Sequence, residues 1–284
     1  MADKSLEVIA EGFNFLEGPR WHEGKLWVSD MWGQKIYTVT ADGQKDVIAE
    51  VPNRPSGLNF LPDGSLVTVS MADRKLLKVA DDGGLSDYAD LSGIAAGDVN
   101  DSVVDADGNI YVGNFGYDLF AGEEPALAKL ARVDISGNVS EVADGINFPN
   151  GSVITPDGAT LVVAETWGSL LTAFDRNADG SLSNRRVWAQ LGERTPDGIC
   201  LDSEGAIWVS CFVDGEFIRV KEGGEILESI PSPGKRAVAC NLGGANGTTL
   251  FALTFEGEVE DIAKGLPKAR IETVEVEVPT AGSP

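Results

Sequence analysis

Short apolar runs alternate with polar turns along this chain at the spacing of β-strands, and no stretch carries a convincing amphipathic-helix pattern. Six comparable segments recur: "EGPRWHEGKLWVSD", "SGLNFLPDGSLVTVS", "NDSVVDADGNIYVGN", "NGSVITPDGATLVVAE", "DGICLDSEGAIWVSC" and the weaker "RAVACNLGGANGTTLFALTF". Each starts on small residues, runs through an apolar strand, turns on a glycine, and returns through a strand rich in Val, Ile, Leu and Trp. The turn glycines are Gly24, Gly64, Gly108, Gly158, Gly205 and Gly247, spaced by 40, 44, 50, 47 and 42 residues. A second hairpin follows most of them, as in "KIYTVTADGQKDVIAEV" and "KLARVDISGNVSEVADG"; in the fourth repeat "DRNADGSLSN" lengthens it. "DIAKGLPKAR" allows at most one helical turn.

Two hairpins make a four-stranded antiparallel unit, and six such units at this period predict an all-β fold, a six-bladed β-propeller. A β-sandwich would not repeat one two-hairpin order six times, and a β-helix has a much shorter period. No linker interrupts the pattern, so residues 1–284 read as a single domain. Leu6–Ala10 and the alternating "ARIETVEVEVP" are the segments expected to share a blade and close the ring, which leaves no open sheet edge.

Composition narrows the partners. The chain has 22 basic and 45 acidic residues, a net charge of −23, and 43% hydrophobic residues. Such acidity opposes binding to nucleic acid or to an anionic membrane surface and leaves a cation or a neutral small molecule as the expected partner. The N-terminal "MADKSLEVIAEG" has no apolar core of a signal peptide, and no run is long enough to span a bilayer. Cys200, Cys211 and Cys240 follow no metal-ligand spacing and read as buried, reduced thiols. The expected location is cytoplasmic; the pattern specifies no oligomeric state.

Propeller geometry converts the repeat into positions in space. Eight residues before the turn glycine, the chain reaches the start of the innermost strand, on the face opposite the turn. That count gives Ser56, Asn100, Asn150 and Asp197, and Glu17 in the first repeat, whose turn is one residue shorter. In the sixth repeat the nearest candidate is Arg236. Glu17, Asn100, Asn150 and Asp197 should therefore converge on one axis. Taken singly, Asn and Asp are residues that turns favour. Taken as a set they form an oxygen cage for a divalent cation: Ca²⁺, with Mg²⁺ and Mn²⁺ as alternatives, and Zn²⁺ less suited because neither His nor Cys is at hand. The single histidine, His22, belongs to the far face.

The segments "LEGPRW", "NDSVVDADGNIYVGN", "FPNGSVITPDGATLVVAET" and "TPDGICLDSEGAIWVS" resemble those of the family containing regucalcin, gluconolactonase and luciferin-regenerating enzyme. The resemblance runs from about Glu11 to Phe255. It implies a six-bladed propeller with a divalent cation in its channel, held by Glu17, Asn150 and Asp197, with Asn100 at the metal or the substrate. It also implies lactone hydrolysis. One departure stands out: sugar-lactonase members carry Arg two residues before the Asn that corresponds to Asn100, and this chain has Asp98. Asp98 reads either as a second acid near the cation or as a solvated loop carboxylate, and this departure counts against sugar-lactone specificity within a gluconolactonase-like activity.

The loops on the candidate face carry Met31, Trp32, Phe115, Tyr117, Phe120, Trp167 and Phe212, an aromatic rim for a substrate pocket. The longest, "FGYDLFAGEEPAL", is a candidate lid. In the resulting expectation the cation polarises a cyclic ester, Asn100 donates to the oxyanion, Asp197 takes a proton from water, and Glu17 and Asn150 hold the ion. Phosphotriester hydrolysis on the same cage, and a non-catalytic calcium- or ligand-binding propeller, are the alternatives.

Overall fold

The computed structural model of the protein describes residues 4–282. The alternating segments become strands, and these assemble into six four-stranded antiparallel sheets. Five are continuous in sequence. They run from Leu16–His22 to Lys45–Glu50, from Pro55–Phe60 to Leu85–Asp90, from Val99–Val104 to Val139–Ile146, from Pro149–Ile154 to Leu182–Gln190, and from Pro196–Leu201 to Ile226–Pro231. The sixth is shared: Arg236–Gly243, Thr249–Phe255 and Ala269–Glu275 are completed by Glu7–Phe13, with Phe13 opposite Ala269 and Glu7 opposite Thr273. The first strand of each sheet packs on the first strand of the next, and Leu16–His22 meets Arg236–Gly243 to complete the circle. The molecule is a six-bladed propeller, closed by the two segments that the alternation singled out.

Burial falls from the axis outward. Pro149–Ile154 and Pro196–Leu201 are buried at every residue, whereas the outermost strand Ile226–Pro231 is mostly exposed. Apolar side chains fill the space between blades, with Trp208, Tyr111, Phe217 and Phe251 fully buried. Cys200, Cys211 and Cys240 are free and buried. The only α-helix among the described residues is the single turn Val259–Ile262, and none is long and apolar enough to cross a membrane.

Two features of the inner strands shape the channel. Each inner strand has a register shift next to its second residue, for example between Pro149 and Ser152 and between Pro196 and Ile199. Such bulges interrupt the two-residue alternation and re-aim side chains. The second feature is the glycine that follows this residue in four blades: Gly18, Gly57, Gly151 and Gly198. A β-carbon on Gly151 would stand 2.5 Å from the Ile199 nitrogen and 2.7 Å from the Asp197 carbonyl oxygen. Neighbouring inner strands thus approach more closely than any side chain allows, and the residues before these glycines are drawn together.

Candidate active site

The second residues of the six inner strands are Glu17, Ser56, Asn100, Asn150, Asp197 and Ala237, all of them buried. Glu17, Asn100, Asn150 and Asp197 form the floor of one cavity of about 430 Å³. The sixth blade corrects the candidate Arg236. With the longer turn "NLGGANG" the ring position lies ten residues before Gly247 instead of eight, and Ala237, next to Arg236, occupies it. Arg236 lies over the Phe212 ring at 5.8 Å and donates to Glu258. His22 stacks on Phe60 and does not border the cavity.

Hydrogen bonds link the floor across blades. Ser56 Oγ donates to Asn100 Oδ1 at 3.2 Å, and Asn100 Nδ2 donates to Asn150 Oδ1 at 3.0 Å. Asn150 Nδ2 donates to Thr166 Oγ1 at 3.3 Å, and Thr166 in turn donates to the Pro196 carbonyl at 2.8 Å. This chain orients both amides. Asp197 differs from them, because its Oδ1 is buried without a hydrogen-bond partner. Burial, and then the charge of Asp101, push the Asp197 carboxyl well above the usual carboxylate range. Glu17 is pushed up by burial and by Asp197 and Asp101, against a bond from the Gly18 amide.

Two buried carboxylates this close are costly unless a positive charge joins them. Both borders of the floor supply oxygen, and neither His nor Cys lines the cavity. Among the described residues no three His, Cys, Asp or Glu side chains form a metal cluster; the donor set is two carboxylates and two amides. The chemistry of that set suits a hard divalent cation such as Ca²⁺, Mg²⁺ or Mn²⁺, and Zn²⁺ poorly.

The sequence reading overlooked several neighbours of the floor. Asp101 stands where four other blades have glycine, and its Oδ1 receives the Arg20 guanidinium at 3.2 Å. Its position directly after Asn100 in "ND" was the available signal. Thr166, one residue before Trp167, joins the floor through Asn150. Phe15 and Phe148 lie two residues before Glu17 and Asn150 and line the wall with Met71. The short helix adds Val259 and Ile262 from a segment with no recognisable motif.

Among the proposed substrate contacts, Phe115, Trp167 and Phe212 border the cavity, whereas Asp98, Trp32 and Tyr117 do not. Tyr117 is buried behind Phe148, with ring centres 6.1 Å apart. Asp98 is neither a second acid at the floor nor a solvated carboxylate. Arg54 holds it at 2.7 Å, with both side chains largely enclosed. The same guanidinium lies 5.1 Å from the Trp32 ring and 4.4 Å from Phe120, fixing both aromatics outside the floor. The candidate lid sends Leu119 and Phe120 over the cavity mouth.

Fold and site define a class: a six-bladed propeller with an acidic, oxygen-lined floor at one end of its axis and an aromatic wall above it. The family model described as SMP-30/Gluconolactonase/LRE-like region matches residues 15–256, and the chain belongs to that family. It is 26% identical to regucalcin of Danio rerio over 260 residues, covering 86% of this chain and 84% of that protein. It is also 26% identical to a pentonolactonase of Haloferax volcanii over 249 residues, covering 85% of this chain and 82% of the other. A gluconolactonase structure from Xanthomonas campestris superposes with a TM-score of 0.77 at 26% identity, covering 98% of this chain and 91% of that one.

Proposed function

We propose that this protein hydrolyses a cyclic carboxylic ester, with a divalent cation, Ca²⁺ foremost, held by Glu17, Asn150, Asp197 and Asn100. The observation that carries the proposal is Asp197, whose buried Oδ1 has no partner at the bottom of an accessible cavity. The lactonase activities in the names of two relatives support the same reaction class. When bound, the cation supplies Lewis acidity for the ester carbonyl.

The remaining chemistry belongs to the chain. Asp197 accepts a proton from water as the water oxygen bonds to the acyl carbon. Its Oδ1, which no other group of the protein engages, is the oxygen available to take that proton. The second N–H of Asn100 Nδ2 stabilises the negative charge that gathers on the carbonyl oxygen. As that charge returns, the ring C–O bond breaks and the leaving alkoxide recovers the proton from Asp197. The product is a hydroxy acid, which gives up its acid proton to solvent as it leaves, and Asp197 is regenerated as the carboxylate.

Lactone hydrolysis, followed in wild type and Asp197→Asn before and after chelation, tests the assignment. We expect chelation to abolish turnover with the fold retained, and Asp197→Asn to lose about 10²-fold or more. Unimpaired turnover by Asp197→Asn overturns its role as base. A cation-bound protein inactive on a broad panel of lactones and phosphotriesters overturns the enzymatic reading in favour of a binding protein.

A further inference from the structure

Above the floor the cavity wall is mainly apolar; Thr166, whose hydroxyl is engaged by Asn150 and the Pro196 carbonyl, and Glu260 at the mouth interrupt it. Phe15, Met31, Met71, Phe115, Phe148 and Phe212 are buried and form its wall. At the mouth, Leu119, Phe120, Trp167 and Val259 remain 37%, 40%, 44% and 47% exposed. Exposed large apolar residues scattered singly are ordinary, but four gathered round one cavity mouth form a patch that binding would cover.

Polar groups of the kind a hydroxylated substrate needs are engaged elsewhere. The residues two before each floor position are Phe15, Arg54, Asp98, Phe148, Thr195 and Lys235. Of these, Arg54 and Asp98 neutralise each other, and neither borders the cavity. Lys235 is bound to Glu272 at 2.5 Å. The Thr195 hydroxyl accepts from the Val213 amide and donates to Asp214. Only the two phenylalanines of this layer face the cavity. Glu260 stands at the mouth, the one charged side chain among the described residues that borders the cavity outside the floor.

We infer that the substrate is an uncharged lactone carrying an alkyl or aryl substituent. Its carbonyl rests on the floor, and its substituent lies along Phe115, Phe148, Phe212 and Trp167. This inference rests on the lactonase reading and adds the substrate class. Each methylene moved from water onto this wall favours the reaction by about fourfold until the mouth is reached. Each hydroxyl of a polyol lactone placed against the wall loses its water partners without replacement, a penalty of roughly tenfold or more.

The test is kcat/KM for a series of γ-lactones of increasing alkyl length, beside glucono-δ-lactone, on calcium-loaded protein. Binding of the matching non-hydrolysable alkyl lactams is measured in parallel by thermal shift. The expected result is a rise of about fourfold per methylene over several carbons, with alkyl lactones ahead of the sugar lactone by at least about 10²-fold. Trp167→Ala, at an exposed position, should flatten that slope. Hydrolysis with no chain-length dependence, or with the sugar lactone preferred, overturns the substrate class and leaves the lactonase reading standing. Chain-length-dependent lactam binding without hydrolysis of any lactone overturns the lactonase reading and supports an apolar-ligand cavity. Neither lactam binding nor lactone turnover overturns both.

Discussion

Two adjacent layers of the channel mouth come from the same six strand starts, two residues apart, and they are built on opposite principles. In the floor layer, Glu17 and Asp197 are buried with uncompensated acidity, and an Asp197 oxygen has no partner. In the layer above, charge is cancelled locally: Arg54 meets Asp98 and Lys235 meets Glu272, leaving Phe15 and Phe148 to face the cavity. Polar groups left unsatisfied are available for a ligand or a reaction, whereas satisfied ones serve position and stability. On the proposed function, the contrast separates chemistry from selection: the floor would carry the reaction and the wall would select the substrate.

The largest effects are expected where the floor is broken. Asp197→Asn should lower kcat by about 10²-fold or more, as measured by steady-state lactone hydrolysis, with an unchanged circular-dichroism spectrum. Asn150→Ala removes a proposed cation oxygen and the bond to Thr166. Calorimetric titration should show calcium affinity weakened by about tenfold or more, since a ligand rather than a distant support is lost.

Packing beneath the floor gives the next effect. Gly151→Ala places a methyl group 2.5 Å from the Ile199 nitrogen, where backbone on both sides resists movement. A loss of about 1–3 kcal/mol in chemical denaturation is expected. The wall layer should respond more mildly. Arg54→Ala frees Asp98 and releases Trp32 and Phe120. A double-mutant cycle with Asp98→Ala should return a coupling of about 1–2 kcal/mol for this mostly enclosed pair. Its kcat should stay within a few-fold of wild type, because neither residue reaches the floor.

Acidity sharpens the same comparison. Glu17 and Asp197 hold their protons more tightly in the ion-free fold than in the unfolded chain. The folded state thus binds more protons once pH exceeds the ordinary carboxylate value of about 4. Their contribution to stability is then lost as pH rises from there through the raised folded values. Calcium should displace those protons, so proton release on binding and a calcium-dependent rise in Tm are expected near neutral pH. Thermal melts across pH, with and without the ion, measure both.

Much of this arrangement was legible in the chain, for identifiable reasons. A glycine turn at a steady period fixes the blade count, and counting back from it reaches Glu17, Asn100, Asn150 and Asp197 because the intervening strand has constant length. The count fails in the sixth blade, where an enlarged turn puts the ring position, Ala237, ten residues before Gly247 and one beyond the candidate Arg236. The environment of Asp98 is not legible locally, because Arg54, 44 residues earlier, becomes its neighbour only through the curvature of the ring. Loop position alone points Trp32 and Tyr117 at the pocket. Their direction depends on Arg54 and Phe148, contacts between blades that no local pattern encodes. Phe148 itself was hidden in plain view, with φ of 61° in the residue before Pro149.

The most direct test is to titrate calcium into chelated protein while following lactone hydrolysis and bound metal together. The account predicts negligible turnover without the ion and recovery in step with one ion bound per chain. Full turnover by protein shown to carry no divalent cation would contradict it.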